Sequence, residues 1–393
     1  MKIYMFPGQG SQSKGMGGDL FDRFKEWTDK ADSILGYSIK ELCLEDPRNE
    51  LGKTQFTQPA LYVVNALSYF RKIEDTGVMP DFVAGHSLGE FDALLVAQCF
   101  DFETGLKLVQ KRGELMGQVS NGAMAAVMNS SKQEIEEKLK ANGLANVYLA
   151  NYNTPSQIVL SGAYDEIAAA EKIFQGGKVR YYPLATSGAF HSAFMRDAMT
   201  QFKEFIKGFR FAEPKIPVMS NVTARPYKSE TMLETLSDQI ASTVRWSESM
   251  QYLLALGASK GEEVEFEELG NGDVLTRMAF TIKAQTPESV LQEIIRKEKA
   301  LSEPKAEEKA EEKAGKEAAE KFDHSIIVEL TDVREKVAAW NRAYSIGTKV
   351  KSTVADYGDL ETRTDAVVLF GHRAAVYMKG YNGYFDLNEL TPA

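Results

Sequence analysis

The segment Gly85-His86-Ser87-Leu88-Gly89 carries residues suited to nucleophilic chemistry. It follows the apolar run Phe82-Val83-Ala84 and leads into a helical pattern that begins at Glu90. A serine between two glycines, on a turn from a strand into a helix, is typical of a nucleophile elbow. Glycines let the backbone bend sharply and expose the hydroxyl, so the pattern favours Ser87 as a nucleophile over an ordinary glycine-rich turn. The amide of Leu88 then points towards a developing oxyanion.

A serine needs a general base to take its proton, and the chain contains four histidines. His86 lies inside the turn beside Ser87, where its ring is expected to point elsewhere and to be structural. His324 and His372 follow a charged segment and would need unusual docking to reach the site. His191 is therefore the predicted base. A backbone carbonyl that accepts its Nδ1 proton would select the tautomer, so no acidic partner is required.

Strands and helices alternate along the first 300 residues, which predicts an α/β fold with an α/β-hydrolase-like parallel sheet covered on both faces. The chain opens with a strand at 3–6, the loop Gly8-Gln9-Gly10 and a helix near 20–27. That loop is a natural source of a second oxyanion donor, and a plain β-α turn is the alternative. Further helices are expected to begin at Pro59 and to span 103–116.

The domain organisation follows from changes in pattern along the chain. Residues 123–184 have the order β-α-β-β-α-β, typical of a ferredoxin-like subdomain inserted into a catalytic core of residues 1–122 and 185–300. Residues 301–321 are almost entirely Glu, Lys and Ala, which indicates a solvated helix or semi-rigid linker. Residues 322–393 predict a small β-rich module, an SH3-like antiparallel barrel after one helix.

The bulk composition is that of an ordinary globular protein, with 44% hydrophobic and 26% charged residues among 393. A net charge of -10 argues against nucleic acid or an anionic membrane as the main partner. The two cysteines lie in apolar stretches and predict neither a disulfide framework nor a metal site. The chain start is too short in apolar residues for a secretion signal, and no run reaches transmembrane length, so we expect a cytoplasmic protein.

Four segments in this order resemble malonyl-CoA:acyl carrier protein transacylases: Phe6–Gln12, Thr57–Ala60, Gly85–Glu90 and Gly188–His191. The resemblance covers residues 1 to about 290. Segments 54–67 and 100–105 are more similar to the trans-acting acyltransferases of polyketide synthases than to the fatty-acid enzyme. The resemblance implies ping-pong transfer of a malonyl group from malonyl-CoA to the phosphopantetheine thiol of acyl carrier protein domains, with no bound cofactor.

The resemblance also implies roles for individual residues. Ser87 would be the nucleophile and His191 the base, with the carbonyl of Gln239 orienting the imidazole. The amides of Gln9 and Leu88 would form the oxyanion hole. The implied substrate-binding residues are Arg112 for the malonyl carboxylate, Phe190 against a 2-methyl branch, and the polar cleft residues Gln58 and Asn153.

Two other hypotheses stay open at the level of sequence. An acyl hydrolase that clears stalled acyl groups from carrier proteins would use the same fold and the same two catalytic residues. Arg112 weighs against it, because the editing members of the family tend to lack this arginine. Residues 322–393 could form a binding module for another protein, which is compatible with an enzymatic function of the rest of the chain.

Overall fold

The computed structural model describes residues 1–120, 122–186, 188–302, 332–354, 357–369, 373–381 and 384–392. The chain divides into two compact units, Met1–Lys297 and Glu298–Ala393. All but the first two residues of the predicted linker 301–321 lie outside the described residues. Within the described ranges, no helix has both the length and the apolar character that a bilayer crossing requires.

The elements that begin in the first unit alternate between helix and strand over most of its length. In chain order they are β1 (Lys2–Phe6), α1 (Leu20–Arg23), α2 (Lys25–Leu35), α3 (Ile39–Leu44), α4 (Thr54–Thr76), β2 (Phe82–Gly85), α5 (Gly89–Val96), α6 (Phe102–Gly117), β3 (Ala123–Met128), α7 (Lys132–Ala141), β4 (Val147–Thr154), β5 (Gln157–Gly162), α8 (Tyr164–Phe174), β6 (Arg180–Leu184), α9 (Arg196–Ile206), β7 (Val218–Met219), α10 (Met232–Asp238), α11 (Trp246–Lys260), β8 (Glu265–Glu268), α12 (Val274–Gln285) and α13 (Glu288–Ser302).

A parallel four-stranded sheet of order β7-β2-β1-β8 forms the centre of this unit and confirms the predicted parallel α/β sheet. In β1, Tyr4 and Phe6 pack into one hydrophobic cluster, whereas Ile3 and Met5 pack into another. Alternate side chains of a strand point to opposite faces, so both faces of the sheet are covered. A strand segment buried on both sides is therefore apolar, as residues 3–6 of β1 are.

The register of the sheet brings two functional loops together. β1 and β2 are parallel, with Phe6 opposite Gly85 at their carboxyl ends. The chain leaves β1 into the loop 7–11 and leaves β2 into the turn that carries Ser87. Parallel strands place such loops at one edge of the sheet, which is where ligands bind in open α/β folds. The candidate site is therefore expected at this edge.

Three helices differ from their predicted bounds. The helix predicted to begin at Pro59 begins at Thr54, because the polar residues Thr57 and Gln58 before the proline are buried within it and do not form a surface loop. The helix predicted near 20–27 is interrupted at Phe24, whose backbone leaves the helical region between α1 and α2. Helix α6 extends the predicted 103–116 by one residue at each end.

Residues 123–184 form an antiparallel sheet of order β4-β5-β3-β6 with α7 and α8. Ala125 and Val127 of β3 pack into the hydrophobic cluster of this segment. Met124 and Ala126, on the opposite face of the same strand, pack into the main core instead. One face of this sheet therefore contributes to the wall of the larger lobe.

The second unit contains one described helix and six described strands. They are α14 (Val333–Ala343), β9 (Lys349–Ser352), β10 (Leu360–Glu361), β11 (Val367–Leu369), β12 (Arg373–Tyr377), β13 (Tyr384–Asp386) and β14 (Leu390–Pro392). The strands pair in two antiparallel sheets, β10-β9-β14 and β11-β12-β13. Trp340 of α14 is buried among apolar residues of these strands, so this unit has a hydrophobic core of its own.

Candidate active site

The turn after β2 holds Ser87 with a φ of 52°, in the left-handed region that a non-glycine residue rarely adopts. This turn and the loop after β1 are in direct contact. A Cβ built on Gly89 would lie 2.0 Å from the carbonyl oxygen of Phe6, and one built on Gly8 would lie 2.2 Å from that of His86. Neither position has room for a side chain, so glycine at both is a condition for the two loops to meet.

Ser87 and His191, predicted to act together, are hydrogen-bonded. Ser87 Oγ lies 2.8 Å from His191 Nε2 although 104 residues separate them. On the other side of the ring, Nδ1 lies 2.9 Å from the carbonyl oxygen of Gln239 and 3.2 Å from that of Ser242. Carbonyl oxygens only accept hydrogen bonds, so Nδ1 carries the proton and Nε2 is free to accept the serine proton.

The environment of His191 favours the neutral imidazole. Burial, together with the nearby positive charge of Arg112, lowers the pKa of His191 to about 3, although the carbonyls of Gln239 and Ser242 oppose the shift. The ring is therefore uncharged at neutral pH, which is the state a general base requires.

Arg112 projects from α6 and is 1% exposed. Its Nη1 donates to Gln58 Oε1 at 2.8 Å, and its Nη2 donates to Gln239 Oε1 at 2.7 Å and to Ser87 Oγ at 3.0 Å. Burial lowers the pKa of Arg112 to about 10, while Glu90 and Tyr227 raise it. The guanidinium thus stays positively charged at neutral pH and is in contact with the serine hydroxyl.

Gln239 contacts three groups of the site at once. Its backbone carbonyl, for which the resemblance implies this contact, accepts from His191, and its Oε1 accepts from Arg112. Its Nε2 also donates to the carbonyl oxygen of Ser87 at 2.8 Å. The two side-chain contacts were not predicted. They connect the position of the base, the cation and the nucleophile through one residue.

A cavity of about 310 Å³ opens onto this arrangement. All predicted site residues except Gln239 line it: Gln9, Gln58, Ser87, Leu88, Arg112, Asn153, Phe190 and His191. His86, predicted to be structural, bonds through Nε2 to Asn153 Oδ1 at 2.8 Å and so holds that side chain at the wall. His324 and His372 lie outside the described residues.

Sequence reasoning missed much of the apolar wall. Met116 of α6, Met124 and Ala126 of β3, and Met278 of α12 line the cavity. In the sequence these residues belong to ordinary helix and strand periodicities, which also predict a hydrophobic core. Met124 and Ala126 are distinguished only by the burial of the second face of β3, which a single sequence does not reveal. In the described ranges, no cluster of three or more His, Cys, Asp or Glu could hold a metal ion.

Residues 3–267 match the acyl transferase domain family. The chain is 56% identical over 285 residues to a Bacillus subtilis protein, the polyketide biosynthesis malonyl CoA-acyl carrier protein transacylase PksC. The match covers 72% of this chain and 97% of that protein. The chain belongs to the malonyl-CoA:acyl carrier protein transacylase family. It is an acyltransferase, and the family predicted from its motifs is confirmed.

Solved structures of this family share the fold. The crystal structure of a Burkholderia pseudomallei malonyl CoA-acyl carrier protein transacylase is similar with a TM-score of 0.72 and 62% identity, covering 73% of this chain and 99% of that one. A malonyl-transacylase in complex with a type II polyketide synthase acyl-carrier protein gives a TM-score of 0.67 at 31% identity, covering 75% and 99%. Both matches leave about a quarter of this chain uncovered.

Proposed function

We propose that this transacylase-family enzyme moves a malonyl group from malonyl-CoA to the phosphopantetheine thiol of a carrier protein, in trans to a polyketide synthase. The observation that carries the proposal is the buried guanidinium of Arg112, 3.0 Å from the Ser87 hydroxyl. A buried cation next to a nucleophile favours an acyl group that carries its own negative charge. A malonyl thioester has such a carboxylate two carbons from the reacting carbonyl.

The first half-reaction forms an ester on Ser87. His191 Nε2 takes the hydroxyl proton while Ser87 Oγ attacks the thioester carbonyl carbon, and the amides of Gln9 and Leu88 bind the resulting oxyanion. Collapse of the tetrahedral intermediate breaks the carbon–sulfur bond. The departing CoA sulfur takes the proton from His191, which leaves malonyl-Ser87 and a neutral imidazole.

The second half-reaction reverses these roles with a different thiol. His191 Nε2 takes the proton of the phosphopantetheine thiol, whose sulfur attacks the ester carbonyl. The same two amides bind the second oxyanion. Collapse breaks the bond to Ser87 Oγ, which regains its proton from His191. The hydrogen bond from His191 Nδ1 to the carbonyl of Gln239 keeps the ring in one orientation through both halves.

Arg112 selects the acyl group by a fork of donors that matches a carboxylate. Gln58 and Gln239 accept hydrogen bonds from its two terminal nitrogens and fix the plane of the guanidinium. Phe190, buried at the cavity wall, narrows the space where a 2-methyl branch would lie. Asn153 is held against the same cavity by His86 and would contact the acyl or pantetheine portion.

The similar proteins support the assignment of donor and acceptor. PksC carries polyketide biosynthesis in its name, and a related malonyl-transacylase has a solved structure in complex with a type II polyketide synthase acyl-carrier protein. The acyl hydrolase alternative is less well supported, since it would act on acyl chains that leave the charge of Arg112 unpaired.

The finer domain assignments are part of the same proposal. The strand order β4-β5-β3-β6 with two helices supports a ferredoxin-like subdomain at 123–184 within a core of 1–122 and 185–300. Two small antiparallel sheets support an SH3-like module at 322–393. The linker at 301–321 and the cytoplasmic localisation stay predictions.

Intact mass spectrometry tests the function directly. The enzyme is incubated in turn with malonyl-CoA, methylmalonyl-CoA and acetyl-CoA, and a phosphopantetheinylated carrier protein is then added. We expect one malonyl group per chain that disappears when the carrier is added, little labelling by the other two donors, and none of Ser87→Ala. Release of the malonyl group as free acid, without transfer to the carrier, would favour the hydrolase instead.

A further inference from the structure

The side chain of Asn221 bonds to two backbone groups of the turn that carries Ser87. The amide of Ser87 donates to Asn221 Oδ1 at 2.7 Å, and Asn221 Nδ2 donates to the carbonyl oxygen of Gly85 at 2.7 Å. Asn221 is 1% exposed, so water cannot easily replace it. The carboxamide therefore pairs both of these backbone groups of the turn, one on each side of His86.

The position of Asn221 follows from the sheet. β7 pairs with β2 through Val83–Val218 and Ala84–Met219, and Asn221 lies two residues beyond the end of β7. The backbone pairing of β7 with β2 ends at Met219, and beyond it the carboxamide of Asn221 bonds to the last residue of β2 and to the turn that follows. A side-chain amide has the same donor and acceptor as a peptide group, so it can replace a strand neighbour along a bent segment.

Asn221 is itself fixed on both sides of its backbone. Its amide donates to Glu90 Oε2 at 2.7 Å, and its carbonyl accepts from the amide of Arg245 at 2.9 Å. Glu90 lies in the first turn of α5, is fully buried, and accepts a second hydrogen bond from the hydroxyl of Tyr227. The contacts form a closed ring that runs from Gly85 through the turn to Glu90 and back through Asn221.

A turn with a strained backbone needs a ring of contacts to hold it in that conformation. A non-glycine residue with positive φ is strained, and the strain persists only where the surroundings leave no alternative. The φ of 52° at Ser87 accompanies the 2.8 Å contact of its hydroxyl with His191. Without the carboxamide, two buried backbone groups would lose their partners, and the turn could lower its free energy by relaxing towards an ordinary conformation.

We propose that Asn221 is a positioning residue for acyl transfer, which holds Ser87 in its strained conformation, and that Glu90 holds Asn221 in turn. The proposal deepens the function proposed above and rests on it for the identity of the acyl donor. The reactivity of the Ser87 hydroxyl, which depends on its position, can nevertheless be measured without malonyl-CoA. A fluorophosphonate reacts with any activated serine, so its labelling rate reports the turn whichever acyl group the enzyme uses.

The first experiment compares Asn221→Ala with a matched control. Asn341 in the second unit makes the same two-point contact with one residue, donating to the carbonyl of Ala366 at 2.9 Å and accepting from its amide at 2.7 Å. Displacement of a reacting group by about 1 Å costs about 100-fold in rate. Asn221→Ala should therefore slow fluorophosphonate labelling and malonyl-enzyme formation by about 100-fold each, with KM for malonyl-CoA little changed. Asn341→Ala should change neither rate.

The second experiment uses Asn221→Asp, which is nearly the same shape. A protonated carboxyl can accept from the Ser87 amide and donate to the Gly85 carbonyl, as the carboxamide does, whereas an ionised carboxylate cannot donate. The labelling rate of Asn221→Asp, relative to wild type at each pH, should therefore fall as the pH rises. Taking the ratio removes the titration of the nearby charged and titratable groups, which are His86 in the turn itself and Glu90, Tyr227, His191, Arg112 and Arg245 around it.

The outcomes separate this proposal from the proposed function. An Asn221→Ala variant that melts like the wild type and is labelled at the wild-type rate overturns the positioning role. If that variant does not fold, Asn221→Asp decides, and a relative rate that does not depend on pH overturns the role as well. Wild-type enzyme that reacts with the fluorophosphonate but forms no malonyl-enzyme refutes the proposed function alone.

Discussion

Replacement of Arg112 by alanine should change which acyl groups the enzyme accepts. The guanidinium makes hydrogen bonds of 2.8 Å to Gln58, 2.7 Å to Gln239 and 3.0 Å to Ser87. A malonyl carboxylate in the cavity would accept charge-assisted hydrogen bonds from the same guanidinium. Such a bond is worth about 1.5–3 kcal/mol, so malonyl transfer should slow by roughly 10- to 100-fold relative to acetyl transfer.

Two other effects of the substitution act on both acyl groups alike. Loss of the guanidinium leaves Gln58 Oε1 and Gln239 Oε1 as buried acceptors without partners, at about 1–3 kcal/mol each in the free energy of unfolding. It also removes a hydrogen bond to Ser87 and a contact of Gln239, whose carbonyl orients His191. The absolute rates with malonyl and acetyl donors should therefore both fall. The ratio of the two rates isolates recognition of the carboxylate.

Rapid quenching followed by intact mass spectrometry measures that ratio. The wild type, Arg112→Ala and Arg112→Lys are each mixed with equal concentrations of malonyl-CoA and acetyl-CoA. Lysine retains the charge but has no planar fork, so its malonyl-to-acetyl ratio should lie between the other two. An Arg112→Ala enzyme with the wild-type ratio would show that this cation does not contact the acyl group and would refute the reasoning.

The other predictions concern the reacting pair, pH and the tail. Ser87→Ala should abolish acyl-enzyme formation, and the double variant with His191→Ala should be no slower in malonyl transfer to carrier than either single variant, because the two residues act as one unit; additive losses would contradict this. Burial lowers the pKa of His191 in the folded protein to about 3, so between pH 6.5 and 3 the unfolded chain binds one more proton than the folded chain. The neutral imidazole should therefore contribute about 5 kcal/mol to the free energy of unfolding at neutral pH, and this contribution is lost as the pH falls through that window. Urea titrations at a series of pH values give the free energy of unfolding of the wild type and of His191→Gln. If the two free energies fall in parallel as the pH is lowered, this prediction is wrong. A chain that ends at Leu301 should transfer malonyl groups to an isolated carrier at close to the full-length rate, and loss of self-acylation would make residues 322–393 part of the active enzyme.

The fold of the first unit could be predicted because its signals are local. The strand, glycine turn and helix around Ser87 stand together in the sequence, and alternation of helices and strands predicts the parallel sheet. The start of α4 was predicted wrongly, because buried polar residues such as Thr57 and Gln58 have the composition of a loop. Gln58 is buried against Arg112 and Met116 of α6, a contact that no local pattern contains.

The parts of the site that were missed depend on contacts between distant segments. Ser87 and Asn221 are 134 residues apart, and Glu90 and Tyr227 are 137 apart. An asparagine just after a short strand and a glutamate in a helix both have common surface alternatives. Because β7 lies next to β2 in the sheet, Asn221 lies beside the turn of Ser87 and beside Glu90. A single sequence does not determine this order of strands.

The close approach of Gly8 to His86, and of Gly89 to Phe6, divides the enzyme into a part that must stay constant and a part that can vary. No side chain fits at either position, and the pairing of Phe6 with Gly85 fixes the loops in register, so this half of the cavity tolerates little change. Another part of the wall contains Met124 and Ala126, whose strand belongs to the separate sheet of residues 123–184. Mutations there can reshape the cavity without disturbing the nucleophile. New acyl specificities in this family should therefore arise by substitutions in that wall, while the sequences of the catalytic loops stay the same.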